Sequence, residues 1–166
     1  MSEASTAVAD SFRAELRTQL DECVGRIEHC LGQLSDQQVW WRPHDSANSI
    51  ANLVLHLCGN LDQRVGSIVG GAPDTRDRPR EFSERGTTPA AELARRLRAA
   101  AGRAEAVLSG LTSARMAELR RDPARGVEVT VVSILFRTLV HLGGHAQEIV
   151  FMTRSLLGDG YRFQRP

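Results

Sequence analysis

Phe12, Leu16, Leu20, Cys23, Ile27, Leu31 and Leu34 recur at spacings of three and four. That is the period of an α-helix with one apolar face, and it predicts a helix over 6–34. Ser35 follows, with Gln38 three residues on, a capping-box pattern for a short turn that Pro43 ends. The segment HDSANSI offers several N-caps for a second helix over about 48–69, which Gly70, Gly71 and Pro73 stop. Thr88 reads as the N-cap of a third helix, with Pro89 in the first helical position and Glu92 near the positive end of the dipole. This helix runs to about Leu108, and its Arg and Ala content gives it an exposed outer face. The pattern over 111–121 does not decide whether it continues. Asp122-Pro123 and Gly126 break the chain, and VEVTVV could form a strand or begin a helix. Thr130 reads as the N-cap of a fourth helix that ends near Leu157, before Gly158.

Between the second and third helices lies APDTRDRPREFSERG, the most polar part of the chain. Its arginines alternate with Asp74, Asp77, Glu81 and Glu84, which reads as a long, solvated surface loop. Four amphipathic helices with modest loops predict an all-α protein, a four-helix bundle. A length of 166 residues suggests one domain over 1–166. Periodicity does not give the order in which the helices neighbour one another.

Charge narrows the partners. The 21 basic and 20 acidic residues leave a formal net charge of +1, without the basic footprint of a nucleic-acid binder. No apolar stretch reaches about eighteen residues, so no membrane span is expected. The N-terminal residues lack the pattern of a secretory signal, and a cytoplasmic location is the expectation. Every basic residue is Arg, which removes Schiff-base lysines and the P-loop lysine. Cys23, Cys30 and Cys58 are expected to be unpaired. The first two are seven positions apart on one helix, roughly 10 Å along its axis, beyond the reach of a disulfide.

The candidate chemistry is a set of histidines. His141 and His145, in HLGGHAQEIV, are four apart and share one helix face. They fall in line with Ile134, Thr138, Glu148 and Met152. His56, in NLVLHLCGNL, falls in line with Ser49, Leu53, Asn60 and Gln63. One buried histidine is ordinarily satisfied by a hydrogen bond and means little. Three buried near one another need a partner for each ring nitrogen, and a metal ion satisfies one on each ring. Three ligands leave a coordination position open, which separates catalytic from structural sites. Imidazole suits zinc, nickel, copper and iron, so spacing does not choose the ion. Purely structural histidines remain the alternative. Glu148 could accept a proton, orient a ring or pair with a surface charge; Asn60 and Gln63 could hold a substrate or an imidazole. Cys58 points about 200 degrees away from His56 and is not expected to reach the ion. His29 and His44 read as surface residues. Trp40 and Trp41 read as apolar anchors, and Gly59, Gly143 and Gly144 as packing positions or space beside the histidines.

Four stretches, LSDQQVWWRP, NSIANLVLHLCGNL, REFSERG with TPAAEL, and LVHLGGHAQEIVFMTR, resemble the DinB-like superfamily of metal-binding four-helix bundles in order and spacing. The loop and third-helix start resemble an uncharacterised subgroup. The resemblance implies His56, His141 and His145 as the three ligands, an up-down-down-up bundle, and homodimers. It departs at Gln147-Glu148, where many relatives have Gly-Gln. Characterised relatives include metal-dependent thiol transferases that use bacillithiol or mycothiol, and a mycothiol-dependent isomerase. The implied cofactor is a divalent metal ion, zinc or nickel first, then iron, cobalt or manganese. The implied function is a metal-dependent thiol transferase or hydrolase acting on a small molecule, with a low-molecular-weight thiol as cosubstrate. A non-catalytic, metal- or small-molecule-binding dimeric accessory protein is the alternative. Apolar residues beyond the main stripes, Val8, Val24 and Cys30 on the first helix and Val140, Val150 and Phe151 on the last, add to the expectation of a dimer.

Overall fold

A computed structural model of the chain describes residues 3–86, 88–123 and 125–163. Helix α1 spans Glu3–Leu31, the single turn α2 Asp36–Val39, and α3 Ile50–Leu61. The chain leaves α3 directly into a π-helical stretch, Asp62–Val69. Helix α4 (Arg78–Ser83), α5 (Ala90–Ser109) and α6 (Ser113–Ala117) follow. A hairpin of β1 (Leu119–Asp122) and β2 (Val127–Thr130) then leads into α7 (Val131–Leu157) and a 3₁₀ turn, Gly158–Gly160.

Side-chain pairs fix the bundle. Arg17 bonds Glu105 and Arg98 bonds Asp21, so α1 and α5 run antiparallel. Asp62 pairs with Arg103, and Gly70 lies against Val107, so α3 and α5 run parallel. His56 meets His141, while Leu61 and Val65 share a small cavity with Leu135, Thr138 and Leu139, so α3 and α7 are antiparallel. The result is the expected up-down-down-up bundle, with α1 beside α5 and α7. Ile27, Leu53, Leu57, Leu93, Leu97, Ile134, Leu142 and Ile149 are fully buried where the helices meet. Each contributes about 1.5–3 kcal/mol by leaving water.

Local chemistry sets the helix starts. Ser35 with Gln38, and Ser49 with Asn52, form reciprocal capping boxes. Thr130 Oγ1 accepts from Ser133 N at 3.2 Å, so VEVTVV resolves as strand up to Thr130 and helix after it. Asp122, fully buried on β1, accepts two hydrogen bonds from Arg64 and ties the hairpin to the π-helical stretch. Among the described residues no helix is long and apolar enough to cross a membrane.

Two expectations change. Thr88 is not the cap of α5: the helix starts at Ala90, and the Ala90 N–H donates to the Asp36 carboxylate at 2.8 Å. Asp36 brings a full charge to the positive helix end, while the Thr88 carbonyl accepts from Trp40 Nε1 at 3.0 Å. The polar segment is not simply a solvated loop. Asp77 caps α4 within it, and Glu81 on that helix is buried. Trp40 packs partly buried against the core, whereas Trp41 is exposed.

Candidate metal centre

Helices α3 and α7 bring the three histidines together. His56 lies in the middle of α3, and His141 and His145 lie one turn apart on α7. Each offers a nitrogen within 4.8 Å of the others. The rings stand nearly perpendicular, with centroids 4.5–5.3 Å apart. His56 Nε2 and His141 Nε2 are 2.8 Å apart. His56 is buried; His141 and His145 are half-buried, so the cluster opens toward solvent along α7.

Carboxylates hold two of the rings. His56 Nδ1 is 2.9 Å from Glu81 Oε2, and His145 Nδ1 is 2.7 Å from Glu148 Oε2. An ionised carboxylate only accepts, so each Nδ1 carries a hydrogen, which in a neutral ring leaves the Nε2 lone pair free for a metal. Burial lowers the His56 pKa from its ordinary value, against the pull of Glu81. For His141, burial and then the charges of His145 and His56 lower it to about 4. These two imidazoles are neutral at physiological pH. Neutral rings with converging lone pairs are the donor set a divalent ion such as zinc or nickel requires, so the residues fit a metal.

Glu81 is the residue that sequence reasoning passed over. Its side chain is 8% exposed, and that of its partner Arg76 is 7% exposed. Arg76 Nε donates to Oε1 at 2.7 Å and Nη2 to Oε2 at 2.9 Å, a bidentate pair. Arg76 Nη1 donates to Gln63 Oε1 at 2.9 Å, and Gln63 Nε2 to Asp74 Oδ2 at 2.8 Å. Arg76 Nη2 also lies 3.1 Å from His56 Nδ1, so Gln63 is two links from His56 rather than against it. Asn60 is buried on α3. Among the described residues, neither it nor Gln63 bonds an imidazole. Phe82 packs on the His56 ring at 4.8 Å.

The remaining candidates lie apart. Cys23, Cys30 and Cys58 are free. Burial pushes the Cys58 thiol up to about 12, and it does not join the histidine cluster. His29 bonds the Arg162 carbonyl, and His44 bonds Ser46. A cavity of about 490 Å³ is lined by Gly59, Gln63, Arg76 and Glu81, but by no histidine. A Cβ on Gly144 would meet nothing within 4 Å, which leaves open space beside His145.

A family model described as a protein of unknown function (DUF1572) matches residues 7–164. The chain belongs to this family. A conserved protein from Enterococcus faecalis has a similar solved structure: TM-score 0.73 and 17% identity, over 87% of this chain and 96% of that one. A DinB-like protein (YjoA) from Bacillus subtilis is similar at TM-score 0.68 and 16% identity, over 90% of this chain and 96% of that one. At these identities the likeness is one of fold, and the fold is DinB-like, as the sequence motifs imply. No curated protein matches the chain.

Proposed function

We propose that His56, His141 and His145 hold one divalent metal ion, zinc or nickel first, and that the protein is a metal-dependent thiol transferase or hydrolase acting on a small molecule. One observation carries this reading: three imidazoles from two antiparallel helices converge, two of them with Nδ1 already committed to a carboxylate. When bound, the ion would lower the pKa of a thiol or water at its open position and present it as the nucleophile. The chain's own residues hold and orient. Glu81 and Glu148 fix the His56 and His145 rings. Phe82 covers one side of His56. Of the roles open to Glu148, its 2.7 Å contact supports orienting His145. Cys58 is too weakly acidic to serve as nucleophile, so the thiol comes from solution. Asn60, one turn beyond His56, and Gln63, which lines the 490 Å³ cavity, are the proposed substrate contacts.

The test pairs metal analysis with a screen of low-molecular-weight thiols against electrophiles. About one ion per chain, lost in His56→Ala, and thiol consumption that needs the ion, support the reading. Metal without turnover supports the second reading, a non-catalytic metal- or small-molecule-binding protein. One observation favours that alternative: the 490 Å³ cavity takes in Arg76 and Glu81 but no histidine, so a molecule bound there would not meet the ion.

A further inference from the structure

We infer that Glu81 is a positioning residue that couples the segment 72–89 to the metal site, so that binding the ion and docking the segment strengthen one another. The inference rests on the metal reading above. From 72 to 80 this segment is exposed except at Arg76, which is partly covered. Its charged anchors are the exception to that exposure: the Glu81 and Arg76 side chains are withdrawn from water. Burying two charges is costly, and is stable only where hydrogen bonds answer them. Here they do, since Glu81 takes two bonds from Arg76 and lies on His56 Nδ1. Polar bonds hold the backbone as well. Asn52 Nδ2 donates to the Glu81 carbonyl at 2.8 Å, and Arg42 donates to the Glu84 carbonyl at 3.1 Å.

The two carboxylates differ in kind. Glu148 is three residues from His145 on the same helix, so that contact orders no additional chain. Glu81 reaches His56 from another segment, 25 residues away in sequence. A carboxylate at Nδ1 makes Nε2 a stronger donor to a metal. Whatever docking of the segment adds to metal affinity, the metal must return to docking by the same factor. Glu148 provides no such link.

The experiment measures zinc affinity by chelator competition, and amide hydrogen exchange of 72–89 with and without zinc. Wild type, Glu81→Ala, Glu81→Gln and the exposed control Arg80→Ala are compared. Zinc is expected to slow exchange across 72–89 in wild type. Zinc affinity is expected to fall roughly 10–100-fold in Glu81→Ala, and less in Glu81→Gln, whose amide oxygen still accepts from Nδ1. Arg80→Ala should match wild type. In Glu81→Ala, the zinc that still binds should no longer change exchange in the segment. Zinc binding to wild type without slowed exchange, or with both Glu81 variants within twofold of wild type, overturns the inference and leaves the metal reading standing. No zinc binding to wild type overturns the metal reading first. Should Glu81→Ala undock the segment outright, Glu81→Gln and the wild-type exchange still decide.

Discussion

Gly59 makes room for Glu81. A Cβ at position 59 would stand 2.1 Å from Glu81 Oε1 and 3.1 Å from Arg76 Nε. Gly59 lies three residues after His56 on α3, where glycine costs the helix about 1 kcal/mol relative to alanine. The carboxylate that holds His56 needs that space. Gly59→Ala sets the two effects against each other. The helix gains, and Glu81 is driven off His56. The expected result is a midpoint of unfolding close to wild type, with metal affinity reduced as in the Glu81 variants. Unchanged affinity would mean that Glu81 finds another route to His56 and that the glycine serves packing alone.

Removing a ligand should separate metal loss from unfolding. His56→Ala, His141→Ala and His145→Ala are each expected to abolish stoichiometric metal at neutral pH while keeping helical circular dichroism. Saturating metal should raise the stability of wild type alone, by about 2.7 kcal/mol at a hundredfold excess over Kd. Chelator would reverse the gain. A variant series with unchanged stoichiometry would refute the site.

Acid should destabilise the metal-free protein through the same rings. His141 is held near 4 against an ordinary value of 6.5, and His56 is lowered too, both chiefly by burial. Between about pH 6.5 and 4 the unfolded chain therefore binds more protons than the folded one, and stability falls as pH falls. For His141 the loss is at most about 3–4 kcal/mol, the drop from 6.5 to about 4 taken at 1.36 kcal/mol per unit. Above pH 6.5 these rings contribute no slope. Denaturant melts across this range, on wild type and His141→Asn, check the sign: the variant should show a shallower decline. A wild-type protein more stable at pH 4.5 than at 6.5 would contradict it.

The candidate ligands were legible where the information about them is local. His141 and His145 declare their shared face by spacing, whereas His56 lies in line with Ser49, Asn60 and Gln63 and joins the pair through the motif resemblance. Ser35, Thr130 and Gly158 marked element boundaries for the same reason. Glu81 was not legible. It lies in an alternation of Arg, Asp and Glu typical of a solvated loop, and its burial depends on a contact 25 residues away. Asp77 followed by Pro79 could have flagged α4, and Gly59 one turn after His56 could have flagged a close approach. Nor could periodicity reveal the π-helical stretch, where the apolar pattern simply continues. Such stretches are frequent at functional sites, and this one carries Gln63 to Arg76 and Arg64 to Asp122. The start of α5 lies beyond the expected Thr88 cap because Asp36, distant in sequence, accepts from the Ala90 N–H.

All three thiols should be slow to react in the native state. Cys23 and Cys30 are buried, with burial raising both, and Cys58 is pushed up to about 12. Thiolate is the reactive form, so little of it exists at neutral pH. Titration with a disulfide reagent should give three thiols per chain in denaturant and nearly none before unfolding. Rapid native labelling of Cys58 would reopen it as a nucleophile and weaken the case for a thiol from solution.

The last expectation is self-association. Val24 and Cys30, counted as surplus apolar surface from sequence, are fully buried in the chain's own core and argue nothing. Val150 is half-buried. What remains exposed is Val8 on α1 and, on α7, the four residues Val132, Phe136, Val140 and Phe151. At about 100 degrees per residue these four fall within roughly a third of the helix circumference. Gly144 borders them with no atom within 4 Å of where its Cβ would be, so another helix could come close there. We propose that a second copy of the chain covers this stripe, and light scattering across a dilution series should report a dimer. Phe136→Glu combined with Val140→Glu should yield a monomer with intact helical content and intact metal stoichiometry, since neither side chain belongs to the histidine cluster. A wild-type monomer at the highest concentration refutes the dimer. A dimer that survives both substitutions refutes this face as its interface.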